Sequence, residues 1–130
     1  MLDKIFNKVV AFDNYEVIEY CPGNITCKVK VQNESLNPYG NAHGGFLYTL
    51  CDSIAGATAY SLNAACVTQQ ASINYMKQAT LNDEIIIKSN CIHNGKSTKV
   101  IQTNILKDEQ LIAQATFTMY VVNYSHHFRS

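Results

Sequence analysis

The sequence predicts an α+β fold in which an antiparallel sheet curls around one long central helix, and three observations carry that expectation. From Phe46 to Leu62 apolar side chains occur nearly all round a helical repeat, the pattern of a helix enclosed by other structure. Two strand-like runs precede this segment and four follow it, separated by short turn signals, so hairpins build the sheet. The 130 residues hold no Pro/Gly/Ser-rich linker, so one domain over residues 1–130 is expected.

Taken in order, Leu2, Ile5, Phe6, Val9 and Val10 recur at helical spacing with Lys4 and Lys8 opposite, which predicts a short amphipathic helix over the first dozen residues. The runs Tyr15 to Tyr20 and Ile25 to Val31 flank Pro22-Gly23-Asn24 and read as a hairpin. In the second run Ile25, Cys27, Val29 and Val31 alternate with Thr26, Lys28 and Lys30, giving one buried and one wet face. A polar, glycine-rich loop, Asn37-Pro38-Tyr39-Gly40-Asn41-Ala42-His43-Gly44-Gly45, then feeds the long helix. Gly56 with Ala55, Ala57 and Ala59 would let another backbone approach that helix, at some cost to its intrinsic stability.

After Asn63 the breaks at Leu81-Asn82-Asp83, Asn94-Gly95 and Lys107 to Gln110 divide the chain into strands Cys66 to Met76, Glu84 to His93, Ser97 to Leu106 and Leu111 to Asn123. Asn94-Gly95 is the strongest two-residue turn signal among them. Simple alternation in the first of these strands puts Val67, Ala71, Ile73 and Tyr75 on one face and Thr68, Gln70, Ser72 and Asn74 on the other. A polar face on a strand expected in mid-sheet suggests that it looks onto a wet seam or a site.

Composition narrows the function. The formal charge is zero with Lys and Arg thinly spread, which excludes the basic footprint of a duplex nucleic-acid binder or of an anionic membrane surface. No run reaches the ~18–20 apolar residues of a membrane span, and the start lacks a signal-peptide pattern, so a soluble, cytoplasmic protein is expected. The five cysteines are odd in number and form no Cys-x-x-Cys pair, which argues for reduced packing residues over a disulfide framework or a zinc site. Cys51 is read as a small core residue, and His126-His127 as part of a frayed tail.

The chemistry gathers in the loop and helix. Between Ser35 and Met76 the only formally charged side chain is Asp52, about two turns inside the helix, where a carboxylate needs a specific partner or a shifted proton affinity. Either would suit a general base or a nucleophile. Gly44 and Gly45, at the helix start, offer unsatisfied N–H groups with the positive end of the helix dipole behind them, a place for an oxyanion that a carbonyl can approach without meeting a Cβ. Gly44 and Asp52 are eight residues apart, ~12 Å along a helix, so one carbonyl cannot touch both within one chain. If both act on one bond, a second subunit completes the site, and an obligate symmetric dimer is expected.

These residues resemble the hotdog-fold acyl-CoA thioesterases, in particular their phenylacetyl-CoA thioesterase (PaaI-like) branch. The resemblance rests on Asn37, His43-Gly44-Gly45, Leu50-x-Asp52, Val67-Thr68, Ile73-Asn74-Tyr75-Met76, Ala79 and Asp83-Glu84, and covers nearly the whole chain. It implies that Asp52 acts on the thioester carbonyl, that the Gly44 amide polarises the carbonyl oxygen, that Asn37 positions the reacting groups, that His43 supports the loop and the thioester end, and that Thr68 helps place the attacking water. Gly45, Tyr48 and Tyr75, with Phe46 and Tyr60, are candidates for the substrate pocket. Lys96 and Lys99 would meet the coenzyme A phosphates as point charges. Where such enzymes commonly carry Arg-Pro after the long strand, this chain has Lys77-Gln78. The implied activity is hydrolysis of an acyl-CoA, without metal or redox cofactor and with coenzyme A entering only as part of the substrate, in a homodimer or a dimer of dimers. A non-catalytic acyl-CoA-binding regulator and a hotdog dehydratase or hydratase are the competing readings.

Overall fold

A computed structural model describes residues 15–124, so the amphipathic helix expected over the first dozen residues and the tail from 125 onward lie outside the described residues. Its elements are β1 (Tyr15–Cys21), β2 (Asn24–Lys30), a 3-10 turn (Asn33–Ser35), α1 (Gly44–Ser61), β3 (Ala64–Tyr75), β4 (Glu84–Asn94), β5 (Thr98–Lys107) and β6 (Gln110–Tyr124). The strands form one six-stranded sheet in the order β1-β2-β4-β5-β6-β3, every neighbouring pair antiparallel. With α1 packed in the curl of this sheet, the architecture is the hotdog fold that the resemblance implies.

Period-two burial makes the core. On β2, β4, β5 and β6 alternate residues such as Cys27, Ile87, Ile105 and Phe117 are fully buried against the helix. Truncating Phe117, the largest of them, to Ala would cost ~3–5 kcal/mol through lost transfer energy and the cavity left behind. Between Thr49 and Tyr60 the helix is buried except along one stripe, Thr49, Asp52, Ser53, Gly56 and Tyr60, spaced about four residues apart. Asp52 is the charged member of that stripe. Among the described residues nothing lies within 4 Å of where a Cβ at Gly56 would sit.

The ends of α1 are tied down by local chemistry. Asn63, in the left-handed region at φ 65°, turns the chain out of the helix, and its N–H donates to Tyr60 O at 2.9 Å. Ser61 Oγ accepts from Gly23 N–H at 2.8 Å, pinning the last turn to the β1–β2 hairpin.

Three expectations are corrected. Among the described strands β3 lies at the edge rather than in mid-sheet, since only β6 pairs with it. Its faces are also not those of simple alternation, because the register slips between Thr68 and Gln70 and leaves Gln69 unpaired in a bulge. Thr68 is therefore opposite buried Met119 and joins Ala71, Ile73 and Tyr75 on the helix side, while Val67, opposite exposed Tyr120, turns outward with Gln70, Ser72 and Asn74. Finally, the β4–β5 connection is not a two-residue Asn-Gly turn: Asn94 and Lys99 are the last pair in register, and Gly95-Lys96-Ser97 lie between the two strands. Glycine serves there by close approach, as a Cβ at Gly95 would lie 2.5 Å from Thr98 O.

Candidate active site

The loop before α1 is built to hold one shape. Asn37 Oδ1 accepts from the N–H groups of Tyr39 at 2.9 Å and Asn41 at 3.1 Å, closing a tight turn. His43 N–H donates to Ser35 O and Ala42 N–H to Ala79 O, each at 2.7 Å, so the loop is stapled on both sides just before the helix begins. His43 is the helix N-cap: its Nδ1 accepts from Gly45 N–H at 2.8 Å. Among the described residues none accepts from the Gly44 N–H, which is left at the positive end of the helix.

Two turns further on, Thr68 Oγ1 donates to Asp52 Oδ1 at 2.6 Å. This is the specific partner that a lone carboxylate required. The Asp52 charge also reaches its neighbours on the helix. Burial first, then Asp52 and Cys51, raise the Tyr48 phenol, whose ring is 5.7 Å from that of Phe117. Burial pushes the Cys51 thiol up to about 11, with the Thr103 hydroxyl pulling it down and Asp52 adding to the rise, so at neutral pH Cys51 is a protonated core residue rather than a nucleophile.

Tyr75, on the same face of β3 as Thr68, donates from its hydroxyl to Gly44 O at 2.8 Å. A Cβ at Gly44 would touch its ring at 3.4 Å. The structure thus brings Asp52 to Thr68 and Tyr75 to the Gly44 turn, both along the open edge of the sheet. The sequence reading had Tyr75 only as a pocket candidate, and no local signal marks it as a partner of Gly44. The Gln69 bulge that aims Thr68 at Asp52 is likewise invisible in an alternating pattern.

Other candidates fall elsewhere. The Asn37 side-chain oxygen is spent on its own loop. Lys99 departs from the expected phosphate contact: it is 3% exposed, and its ammonium binds Asn94 Oδ1 and Gly95 O of the hairpin it supports. Lys96 is exposed at the tip of that hairpin. An open polar depression lined by Tyr15, Glu16, Lys28, Lys30 and Glu84 involves the β1, β2 and β4 end of the sheet, away from Asp52. There Lys28 is shared between Glu16 at 3.7 Å and Glu84 at 4.0 Å.

Comparison with known proteins points the same way. The model of the thioesterase superfamily matches residues 39–113, a stretch that includes Gly44, Asp52, Thr68 and Tyr75. Acyl-coenzyme A thioesterase 13 of Homo sapiens is 32% identical over 112 residues, 82% of this chain and 79% of that protein. Acyl-coenzyme A thioesterase PaaI of Escherichia coli (strain K12) is 24% identical over 95 residues, 73% of this chain and 68% of that protein. Among solved structures, a hypothetical thioesterase from Streptococcus pneumoniae TIGR4 with coenzyme A superposes with a TM-score of 0.91 at 42% identity, covering 96% of this chain and 99% of that one.

Proposed function

The chain belongs to the thioesterase superfamily, and from that premise we propose that it hydrolyses acyl-CoA thioesters, with Asp52 as base or nucleophile and the Gly44 N–H as oxyanion donor. The observation that carries this reading is the 2.6 Å bond from Thr68 to Asp52, on the one unburied stripe of a helix whose first amide is free among the described residues. Acyl-CoA as the substrate class is supported by the relatives named above.

In the base route Asp52 takes a proton from water as the water oxygen bonds to the carbonyl carbon, and the Gly44 N–H bears the developing oxyanion. The C–S bond then breaks, the proton held by Asp52 passes to the departing sulfur, and the free acid and the thiol of coenzyme A are released with the carboxylate regenerated. In the nucleophile route an Asp52 oxygen bonds to the carbonyl carbon first, coenzyme A leaves, and water cleaves the resulting anhydride. Thr68 orients the carboxylate in either case. Coenzyme A enters only as part of the substrate, and we place the activity in the cytoplasm.

The separation between Gly44 and Asp52, ~12 Å along α1, makes the working unit a symmetric dimer, the Gly44 turn of one subunit serving the same thioester as Asp52 of its partner. The edge position of β3 supports this: twelve residues long, it has β6 on one side only among the described strands, and Val67, Tyr75 and Met76 near its ends are about half exposed. A dimer of dimers then packs through the outer face of β3, β6 and β5, where Gln70, Ser72, Asn74, Gln102, Asn104 and Gln114 carry no formal charge.

A thiol-release assay over a panel of acyl-CoAs tests the activity, and Asp52→Asn tests the role of the carboxylate. Turnover should fall by ~10²-fold or more while coenzyme A and substrate still bind. Retained hydrolysis in Asp52→Asn would overturn the assignment of Asp52, and no thiol release from any acyl-CoA would overturn the function.

A further inference from the structure

We propose that Tyr75 is a positioning residue for the reacting end of this site: through the single peptide unit between Gly44 and Gly45 it holds His43 as a neutral ring with Nε2–H directed outward, beside the free Gly44 N–H. The inference rests on the thioesterase reading for its catalytic consequence, and on two hydrogen bonds for its geometry.

Those bonds share one peptide group. Tyr75 donates to Gly44 O at 2.8 Å, and the N–H of the same amide, that of Gly45, donates to His43 Nδ1 at 2.8 Å. A carbonyl that accepts a bond makes its own N–H a better donor, so the Tyr75 hydroxyl strengthens the cap on the far side of the peptide. An Nδ1 that accepts must offer its lone pair, and a neutral imidazole then carries its proton on Nε2. The His43 side chain is exposed, so this second donor is available beside the amide that the helix leaves unsatisfied.

Packing reinforces the arrangement. The two glycines are each covered by one of the two rings: a Cβ at Gly44 would lie 3.4 Å from Tyr75 Cζ, and a Cβ at Gly45 would lie 3.0 Å from His43 Nδ1 and 3.1 Å from Cε1. A methyl at Gly45 would push the imidazole off its cap, whereas one at Gly44 would only touch the Tyr75 ring. Burial raises the Tyr75 phenol, with smaller contributions from Cys51 and Tyr48, so it remains a donor through neutral pH. In this role Tyr75 touches neither water nor thioester, and what it contributes is the direction of two donors.

Tyr75→Phe tests this, since it keeps the ring on Gly44 and removes only the hydroxyl. We expect kcat to fall roughly tenfold with KM changed by less than about twofold, the split that a lost transition-state contact gives. In 15N-histidine spectra of the wild type, His43 should show the Nε2–H tautomer. Tyr75→Phe should shift the Gly45 amide and admit the other tautomer, and Gly45→Ala should abolish the capped signal while a melting curve shows the domain still folded. A wild-type His43 protonated on Nδ1 would overturn the proposal. So would a Tyr75→Phe enzyme with unchanged kcat and a KM that rises with acyl size, which is the behaviour of a pocket wall. The spectra need no substrate, so a chain that hydrolyses no acyl-CoA yet shows the capped tautomer and its loss in Tyr75→Phe would refute the hydrolase reading while upholding the relay.

Discussion

Thr68 reaches Asp52 because β3 carries one residue more than β6 between Thr68 and Gln70: with Gln69 set aside in the bulge, the Thr68 hydroxyl turns to the helix and bonds Asp52 Oδ1 at 2.6 Å. Thr68→Val keeps the shape and the strand propensity while removing the donor, and should lower kcat by ~10–100-fold with little change in KM. Thr68→Ser should retain most of the activity. Deleting Gln69 would close the bulge yet leave Thr68, now next to outward-facing Gln70, on the helix side opposite Met119, so it should be milder than Thr68→Val. An enzyme indifferent to Thr68→Val would show that the bond orients nothing.

A shared site makes a stronger demand than a shared surface. If the Gly44 turn and Asp52 serve one thioester from different subunits, two inactive variants can rescue each other. Asp52→Asn mixed with Gly45→Ala, after unfolding and refolding together, would give random pairing in which about half of the dimers are mixed. Each mixed dimer has one intact site of two, so about a quarter of wild-type activity should return. Activity that stays at the level of the separate variants would place both groups in one chain.

What the sequence revealed and what it hid divide along a physical line. The helix core from Phe46 onward, the six strands and the need of a lone carboxylate for a specific partner were legible, because burial periodicity and charge scarcity are properties of the chain itself. The faces of β3 were not, since a single bulge inverts every side chain before it relative to those after it and leaves no compositional mark. Nor was the burial of Lys99 legible: a lysine beside Asn-Gly looks like a solvated hairpin until the turn is seen to wrap its ammonium with Asn94 and Gly95. Tyr75 stands out in the sequence only as an aromatic near a pocket, and nothing there marks the bond its hydroxyl makes to the backbone of the loop.

The turn against which that loop leans has its own electrostatic anchor. Asp83 Oδ2 accepts from Thr80 N–H at 2.7 Å and from Lys107 Nζ at 2.8 Å, and Thr80 in turn bridges to Asn41. The Lys107 ammonium first, and the Thr80 amide second, hold the Asp83 carboxyl below its usual range. A depressed carboxyl stabilises the fold above its unfolded value, near about 3.9, and that contribution is lost as pH falls through the lower folded value. Asp83→Asn should therefore lower Tm by a few degrees at about pH 7, and the gap to wild type should close as the pH is taken well below about 4. A gap that persists at low pH would mean that the side chain matters for its shape and not for its charge.

The β5–β6 hairpin is closed by Asp108 and Glu109 alone, with Lys107 paired to Gln110, and both central residues lie in the left-handed region at φ 49° and 67°. Positive φ at both positions is the requirement of a type I′ turn, the form whose twist matches antiparallel strands and which favours Asn-Gly. Asp tolerates this conformation better than Glu, whose side chain offers no local bond in return, so Glu109 carries the greater cost, of order 1 kcal/mol. Glu109→Gly removes that cost but widens the freedom of the unfolded chain, and the two effects oppose each other. Relief of native strain outweighs the added chain freedom where φ is positive, so Tm should rise by ~2–4 °C. Glu109→Val, β-branched at the same φ, should lower it. A Glu109→Gly protein that melts below wild type would show that the hairpin gains more from a stiff unfolded chain than it loses at this turn.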